Sequence, residues 1–128
     1  MNEVPRHAGG RWVAEVYGCD FHRMEDAANV EAAMREAVQR LGARPESIEA
    51  VFHKFQPQGL SGSVLSPAAL IAIHTWPEDG AATLDLYFYN SSENPEDVLR
   101  ELANHLGATD TNSVHVSRGS SRHTHAQG

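Results

Sequence analysis

The stretch LIAIHTWPE at 70–78 limits most strongly what this chain can become. Four apolar residues, Leu70 to Ile73, run into a histidine, a tryptophan and a carboxylate, and Pro77 stops the run. A short apolar run ended by proline reads as a buried strand, because proline cannot donate to a central ladder. Side chains alternate across a strand, so Leu70, Ala72, His74 and Trp76 share one face. The strand therefore carries an imidazole, an indole and, just past its end, the Glu78 carboxylate to one end of a sheet. Upstream, Gly59-Leu60-Ser61-Gly62 is a small-residue stretch where backbone or ligand can approach closely.

The flanking sequence supplies the rest of a sheet and two helices. Residues 11–17 alternate, with Trp12, Ala14 and Val16 on one face, the period of a strand. A turn is expected at 18–22. Residues 27–41 place Val30, Ala33, Met34, Ala37, Val38 and Leu41 at helical spacing, with Asp26 as N-cap and Gly42 as C-cap. Strands are expected at 48–55, 60–65 and 69–76. Asp79-Gly80 marks a hairpin into 81–89, where Ala82, Leu84, Leu86 and Phe88 share one face and Asp85, Tyr87 and Tyr89 the other. Asn94-Pro95-Glu96-Asp97 opens a second helix with the stripe Val98, Leu99, Leu102, Ala103 and Leu106, and residues 113–117 form a short last strand. This order predicts an α+β fold, a two-layer α/β sandwich whose mainly antiparallel sheet has two helices packed on one face. Residues 1–10 are expected to be a flexible N-terminal arm, 11–117 the domain, and 118–128 a disordered tail.

Composition removes several functional classes. With 128 residues, 41% of them hydrophobic, the chain can bury one domain core. A net charge of -7 leaves no basic patch for a nucleic acid. The single cysteine, Cys19, excludes an internal disulfide framework, reads as a small packed residue and suits a reducing cytoplasm. Neither a signal-peptide core nor a membrane-length apolar run is present, so a cytoplasmic protein without a membrane partner is expected. His7, His22, His53, His74, His105 and His115 are scattered, and His123-Thr124-His125 lies in the tail, so no metal site is expected.

Taken together, HKF-x-PQG-x-SG at 53–62 and HTWPE at 74–78 resemble the small prokaryotic, pyruvoyl-dependent S-adenosylmethionine decarboxylases. The likeness runs ungapped from 53 to 85, and RWVAEVYGCD at 11–20 looks like the family's first strand. The resemblance implies a two-layer sandwich that dimerises. It also implies an adenine ring held between Phe55 and Trp76, ribose hydroxyls on Glu78, and Ser61 and His74 as residues assisting chain cleavage. The implied site is physically sensible. Stacking contributes roughly 1–3 kcal/mol per base–ring contact, aromatic faces attract a sulfonium cation, and one carboxylate accepts from two hydroxyls. Without the resemblance, Phe55 and Trp76 read as core, His74 as a packed histidine, Ser61 as a turn serine and Glu78 as a solvated acid.

The same alignment puts the family's Glu-Ser cleavage pair on Ala68 and Ala69, and its catalytic cysteine on Tyr89. Self-cleavage begins when the serine hydroxyl attacks the preceding carbonyl carbon; the ester then eliminates to dehydroalanine, which hydrolyses to pyruvoyl. Ala69 carries a methyl group and forms no ester. Without pyruvoyl the chain lacks the electron sink for loss of carbon dioxide. Tyr89 is a poor stand-in for a thiol acid, with a phenol near ~10 against ~8.5 and far more bulk. The nearest other hydroxyl upstream, Ser66, is an odd number of residues away and is expected on the opposite strand face.

The sequence reading is therefore a decarboxylase-like protein of the polyamine-biosynthesis family that makes no pyruvoyl cofactor. It is expected to bind S-adenosylmethionine or a related adenosyl nucleoside as a binding or regulatory homologue, as a homodimer or as a heteromer with an active paralogue. The alternative is an enzyme that uses His74 and Ser61 as acid and base on S-adenosylmethionine or another sulfonium without pyruvoyl. A residual decarboxylase ranks third.

Overall fold

The computed structural model describes residues 7–117. The strands are β1 (His7–Tyr17), β2 (Glu49–Lys54), β3 (Leu60–Leu65), β4 (Ala69–Trp76), β5 (Ala81–Ser91) and β6 (Asp110–Ser117). They form one sheet in the order β2-β3-β4-β5-β1-β6, antiparallel throughout. The helices are α1 (Phe21–Glu25), α2 (Ala27–Arg40) and α3 (Pro95–His105). The architecture is the expected α+β sandwich.

Alternation decides which face is covered. On β4, Ala69, Ile71, Ile73 and Thr75 are buried, as are Ala82, Leu84, Leu86 and Phe88 on β5. These meet Val30, Met34, Ala37 and Val38 of α2 and Val98, Leu99, Leu102 and Ala103 of α3 in one core. Burying each large side chain contributes about 1.5–3 kcal/mol. The helix starts are capped as expected: Asp26 accepts from the Asn29 N–H at 3.1 Å, and Asn94 from the Glu96 N–H at 2.9 Å. Gly80, at φ 62°, closes the short turn Pro77–Asp79 between β4 and β5.

Three differences from the sequence reading exceed two residues. Helix α1 replaces part of the turn expected at 18–22; Asp20 caps it through the Arg23 N–H at 3.0 Å, and Met24 is fully buried. A helix this short is below the length at which a 3.6-residue period is visible. Strand β1 begins at His7, so residues 7–10 of the expected arm pair with β5, Gly10 opposite Phe88. Their glycines carry no alternation to read, yet a Cβ at Gly9 would collide with the Tyr89 carbonyl. Strand β6 starts at Asp110, three positions before the expected 113. Residues 1–6 of the arm and the tail at 118–128 lie outside the described residues.

Burial of Cys19 pushes its thiol up, the behaviour of a packed residue rather than a nucleophile. The small-residue stretch at 59–62 also has a structural use. Gly62 pairs with Phe52, whose ring lies where a Gly62 Cβ would stand. Gly62→Val should therefore lower unfolding free energy by about 1–3 kcal/mol, the cost of overpacking. A denaturant titration measures it, and an unchanged midpoint would mean the ring moves aside freely.

Candidate functional site

Among the described residues, no element covers the face of the sheet opposite the helices. Its side chains run in rows across the strands. One row reads His53, Ser61, His74, Thr83, Glu15 and Asn112 in register. Within it, Ser61 Oγ and His74 Nδ1 share a 2.7 Å hydrogen bond. The next position along β4 on this face is Trp76, whose ring lies 6.4 Å from that of His74. On the β2 side, the Phe55 ring meets His53 edge-on at 4.5 Å.

Phe55 and Trp76 are 45% and 43% exposed, so neither is a core residue. By strand order they stand on either side of β3, on or just past strands two spacings apart, about 9–10 Å, and the space over β3 between them is the candidate trough. Gly59 and Ser61 lie at its base. Gly59 holds φ 110°, and a Cβ there would sit 3.7 Å from Phe55 Cβ and 3.6 Å from the Thr75 carbonyl oxygen. Small residues below and an aromatic side chain on either side suit one planar ring inserted between them. Glu78 stands at the trough's end, where Gln58 Nε2 donates to its Oε1 at 3.2 Å.

A second cluster occupies the other end of β4. A cavity of about 480 Å³ is lined by Arg11, Ser66, Ala68, Ala69, Tyr87 and Tyr89 among others. Its walls bring together Ala68, Ala69 and Tyr89, the positions that the sequence resemblance sets against a cleavage pair and a cysteine. The Tyr89 N–H donates to the Ala68 carbonyl at 3.1 Å. Arg11 forks onto Asp85 at 3.0 and 2.7 Å and stacks over Tyr87, 5.2 Å from its centroid.

Ser66 is set aside by the turn between β3 and β4 rather than by strand alternation. Its hydroxyl accepts from the N–H groups of Ala68 and Ala69, both at 3.1 Å, and donates to the Ala69 carbonyl at 3.3 Å. The oxygen thus faces forward along the chain, whereas cleavage at this residue needs it to reach back to the Leu65 carbonyl.

The expected site residues therefore fall into two groups. Phe55, Ser61, His74, Trp76 and Glu78 share one end of β4; Ala68, Ala69 and Tyr89 share the other. Trp76 is seven residue steps along β4 from Ala69, about 23 Å at the strand rise. Within one chain the two groups do not converge.

Some contributors were not visible in the sequence. Glu25 accepts from the Gly59 N–H at 2.8 Å and from Lys54 Nζ at 3.0 Å. The Gly59 N–H and then Lys54 hold its carboxyl below the usual glutamate range. In the sequence it is one acid among many, and neither donor is near it along the chain. Among the described residues no group of three or more histidine, cysteine or acidic side chains is placed to hold a metal ion, and no helix is long and apolar enough to cross a membrane.

Comparison with known proteins bears on the family and the fold. The family model described as S-adenosylmethionine decarboxylase matches residues 10–119. The S-adenosylmethionine decarboxylase proenzyme of Moorella thermoacetica is 41% identical over 119 residues, covering 93% of this chain and 90% of the relative. The proenzyme of Syntrophomonas wolfei matches equally, at 41% over the same shares. Among solved structures, the adenosylmethionine decarboxylase of Aquifex aeolicus superposes with a TM-score of 0.70 at 25% identity, over 90% of this chain and 93% of that one. The Trypanosoma brucei AdoMetDC-delta26 monomer shares the fold at a TM-score of 0.61 and 15% identity, over 90% of this chain but 50% of that one.

Proposed function

The chain belongs to the S-adenosylmethionine decarboxylase family, and from that premise we propose that it is a member that binds an adenosyl ligand without cutting itself. The ligand is S-adenosylmethionine or a related adenosyl nucleoside, its base between Phe55 and Trp76 and its ribose on Glu78. The observation that carries this reading is the pairing of an open aromatic trough with a methyl group at residue 69. The residues at the family's cleavage position do not fit a pyruvoyl group: Ala69 has no hydroxyl, and the turn engages that of Ser66. Calorimetry with S-adenosylmethionine, its decarboxylated form and 5′-methylthioadenosine tests the binding. The absence of heat and of thermal shift with all three would remove the reading.

The functional unit is a homodimer formed through the bare sheet face. Val51, Leu65, Val114 and Val116 are all exposed there, alongside Tyr87 and Tyr89. Apolar area of this kind is stabilised by a second sheet packed face to face. A twofold axis between two such sheets and perpendicular to β4 would also set the Trp76 end of one protomer against the Ala69 end of its partner. Each site would then draw on both chains, which answers the separation along β4. Leu65→Lys combined with Val116→Lys should convert a dimer of the 14.0 kDa chain to monomer in light scattering. Wild-type protein that is monomeric at every concentration would sink the dimer, and co-purification with a cleaved paralogue would favour the heteromer.

A second reading rests on the Ser61–His74 hydrogen bond, which gives the trough an acid–base pair. A sulfonium is already activated for elimination or alkyl transfer, and neither needs pyruvoyl. Mass spectrometry of S-adenosylmethionine held with concentrated protein decides it: an intact ligand after hours leaves binding alone. Decarboxylation ranks last.

A further inference from the structure

We propose that residues 19–25 brace the trough, setting the gap between Phe55 and Trp76, with Glu25 as the positioning residue. The inference rests on the reading that this gap takes an adenosyl ligand and names what holds the gap open.

Two walls have to be held. Phe55 sits on the loop between Lys54 and Gly59, closed by its own N–H donating to the Gly59 carbonyl at 2.8 Å. Glu25 grips both stems of that loop. Its Oε2 accepts from the Gly59 N–H at 2.8 Å, and its Oε1 accepts from Lys54 Nζ at 3.0 Å. The same ammonium donates to the Glu25 carbonyl at 2.7 Å. Trp76 and Glu78 belong to the opposite wall, which ends in the turn closed by Gly80. The Cys19 N–H donates to the Gly80 carbonyl at 2.9 Å. The brace is itself anchored to the helix layer, by the Asp20 N–H on the Leu106 carbonyl at 2.9 Å and by the fully buried Met24.

One short segment is thus tied to both walls of the trough. The Glu25 side chain is mostly buried, 15% exposed, and an acid there with no task would be poorly solvated. A carboxylate accepts both donors at once, whereas an amide offers one oxygen. The lowered Glu25 carboxyl keeps the group ionised and the grip intact at neutral pH.

The test uses the full chain and compares Glu25→Ala, Glu25→Gln and wild type. Calorimetry with 5′-methylthioadenosine and with S-adenosylmethionine should show Glu25→Ala weaker by about tenfold or more, with Glu25→Gln between it and wild type, as expected for loss of charge-assisted bonds. A merely structural role would lower the melting temperature and leave the folded protein's affinity alone. A ligand-free measurement separates the two proposals. In nuclear magnetic resonance, the Gly59 amide should exchange with solvent about tenfold faster in Glu25→Ala, and the Phe55 ring signals should shift while those of Phe88 stay put. Unchanged Gly59 protection, or affinity within about twofold of a wild type that does bind, overturns the brace. If wild type binds neither probe, the adenosyl reading fails, and the exchange experiment still decides whether Glu25 holds the Phe55 loop.

Discussion

Ala68→Glu with Ala69→Ser is expected to turn a chain that, on the proposed function, stays whole at 14.0 kDa into one that cuts itself into two fragments. The backbone around the bond is already arranged for it. The Ala68 carbonyl, which a hydroxyl at residue 69 would attack, accepts from the Tyr89 N–H at 3.1 Å. A fixed backbone donor stabilises negative charge developing on that oxygen. The Ala69 N–H and carbonyl are held by the Ser66 side chain, so the turn does not drift. What is absent is the nucleophile. Denaturing electrophoresis and intact mass read the result directly, with Ala68→Glu alone as the control that should remain uncut. Ser61 and His74 cannot assist from their own chain, since His74 is five residue steps along β4 from Ala69, about 17 Å. Cleavage should therefore also need the dimer, and adding Leu65→Lys and Val116→Lys should slow it. A folded double variant that stays intact would show that the missing oxygen is not the only barrier. Wild-type protein found in two pieces would overturn the proposed function outright.

Trp76→Ala should weaken adenosyl binding by roughly fivefold to a hundredfold, the equivalent of ~1–3 kcal/mol for one lost stacking face. Folding stability should hardly change, because the indole is half-exposed and contributes little to the core. The other tryptophan provides the contrast. Trp12 stacks on His115 at 4.1 Å with the rings 9° apart and packs against the core. Trp12→Ala should cost stability, up to about 3 kcal/mol for a partly buried indole, and leave ligand affinity alone. Calorimetry and thermal melts on the same two proteins separate the roles. Equal binding by wild type and Trp76→Ala would place the ligand elsewhere on the open face.

The strands and the two long helices were legible because their signals are local. Alternation on β4 and β5 names the buried set, and the caps at Asp26 and Asn94 mark where helices start, all within a few residues of chain. The exposed Phe55 and Trp76 read ambiguously: an aromatic on a strand has the same local pattern whether it fills a core or lines a trough. Helix α1 and the first residues of β1 were missed because one is too short to show a period and the other begins in glycines.

The residue order alone establishes that no hydroxyl stands at residue 69, that a histidine, a tryptophan and a carboxylate leave one strand together, and that the chain carries little positive charge. These are facts of covalent chemistry and strand period, independent of where distant segments lie. The pairing of six strands adds what no local pattern holds. It leaves one sheet face bare, turns the Ser66 hydroxyl into its own loop, and brings Glu25 onto Gly59 from far along the chain. It also sets the two halves of the site at opposite ends of β4, because a strand is a rigid ruler whose length in space, not in residues, decides which groups can meet.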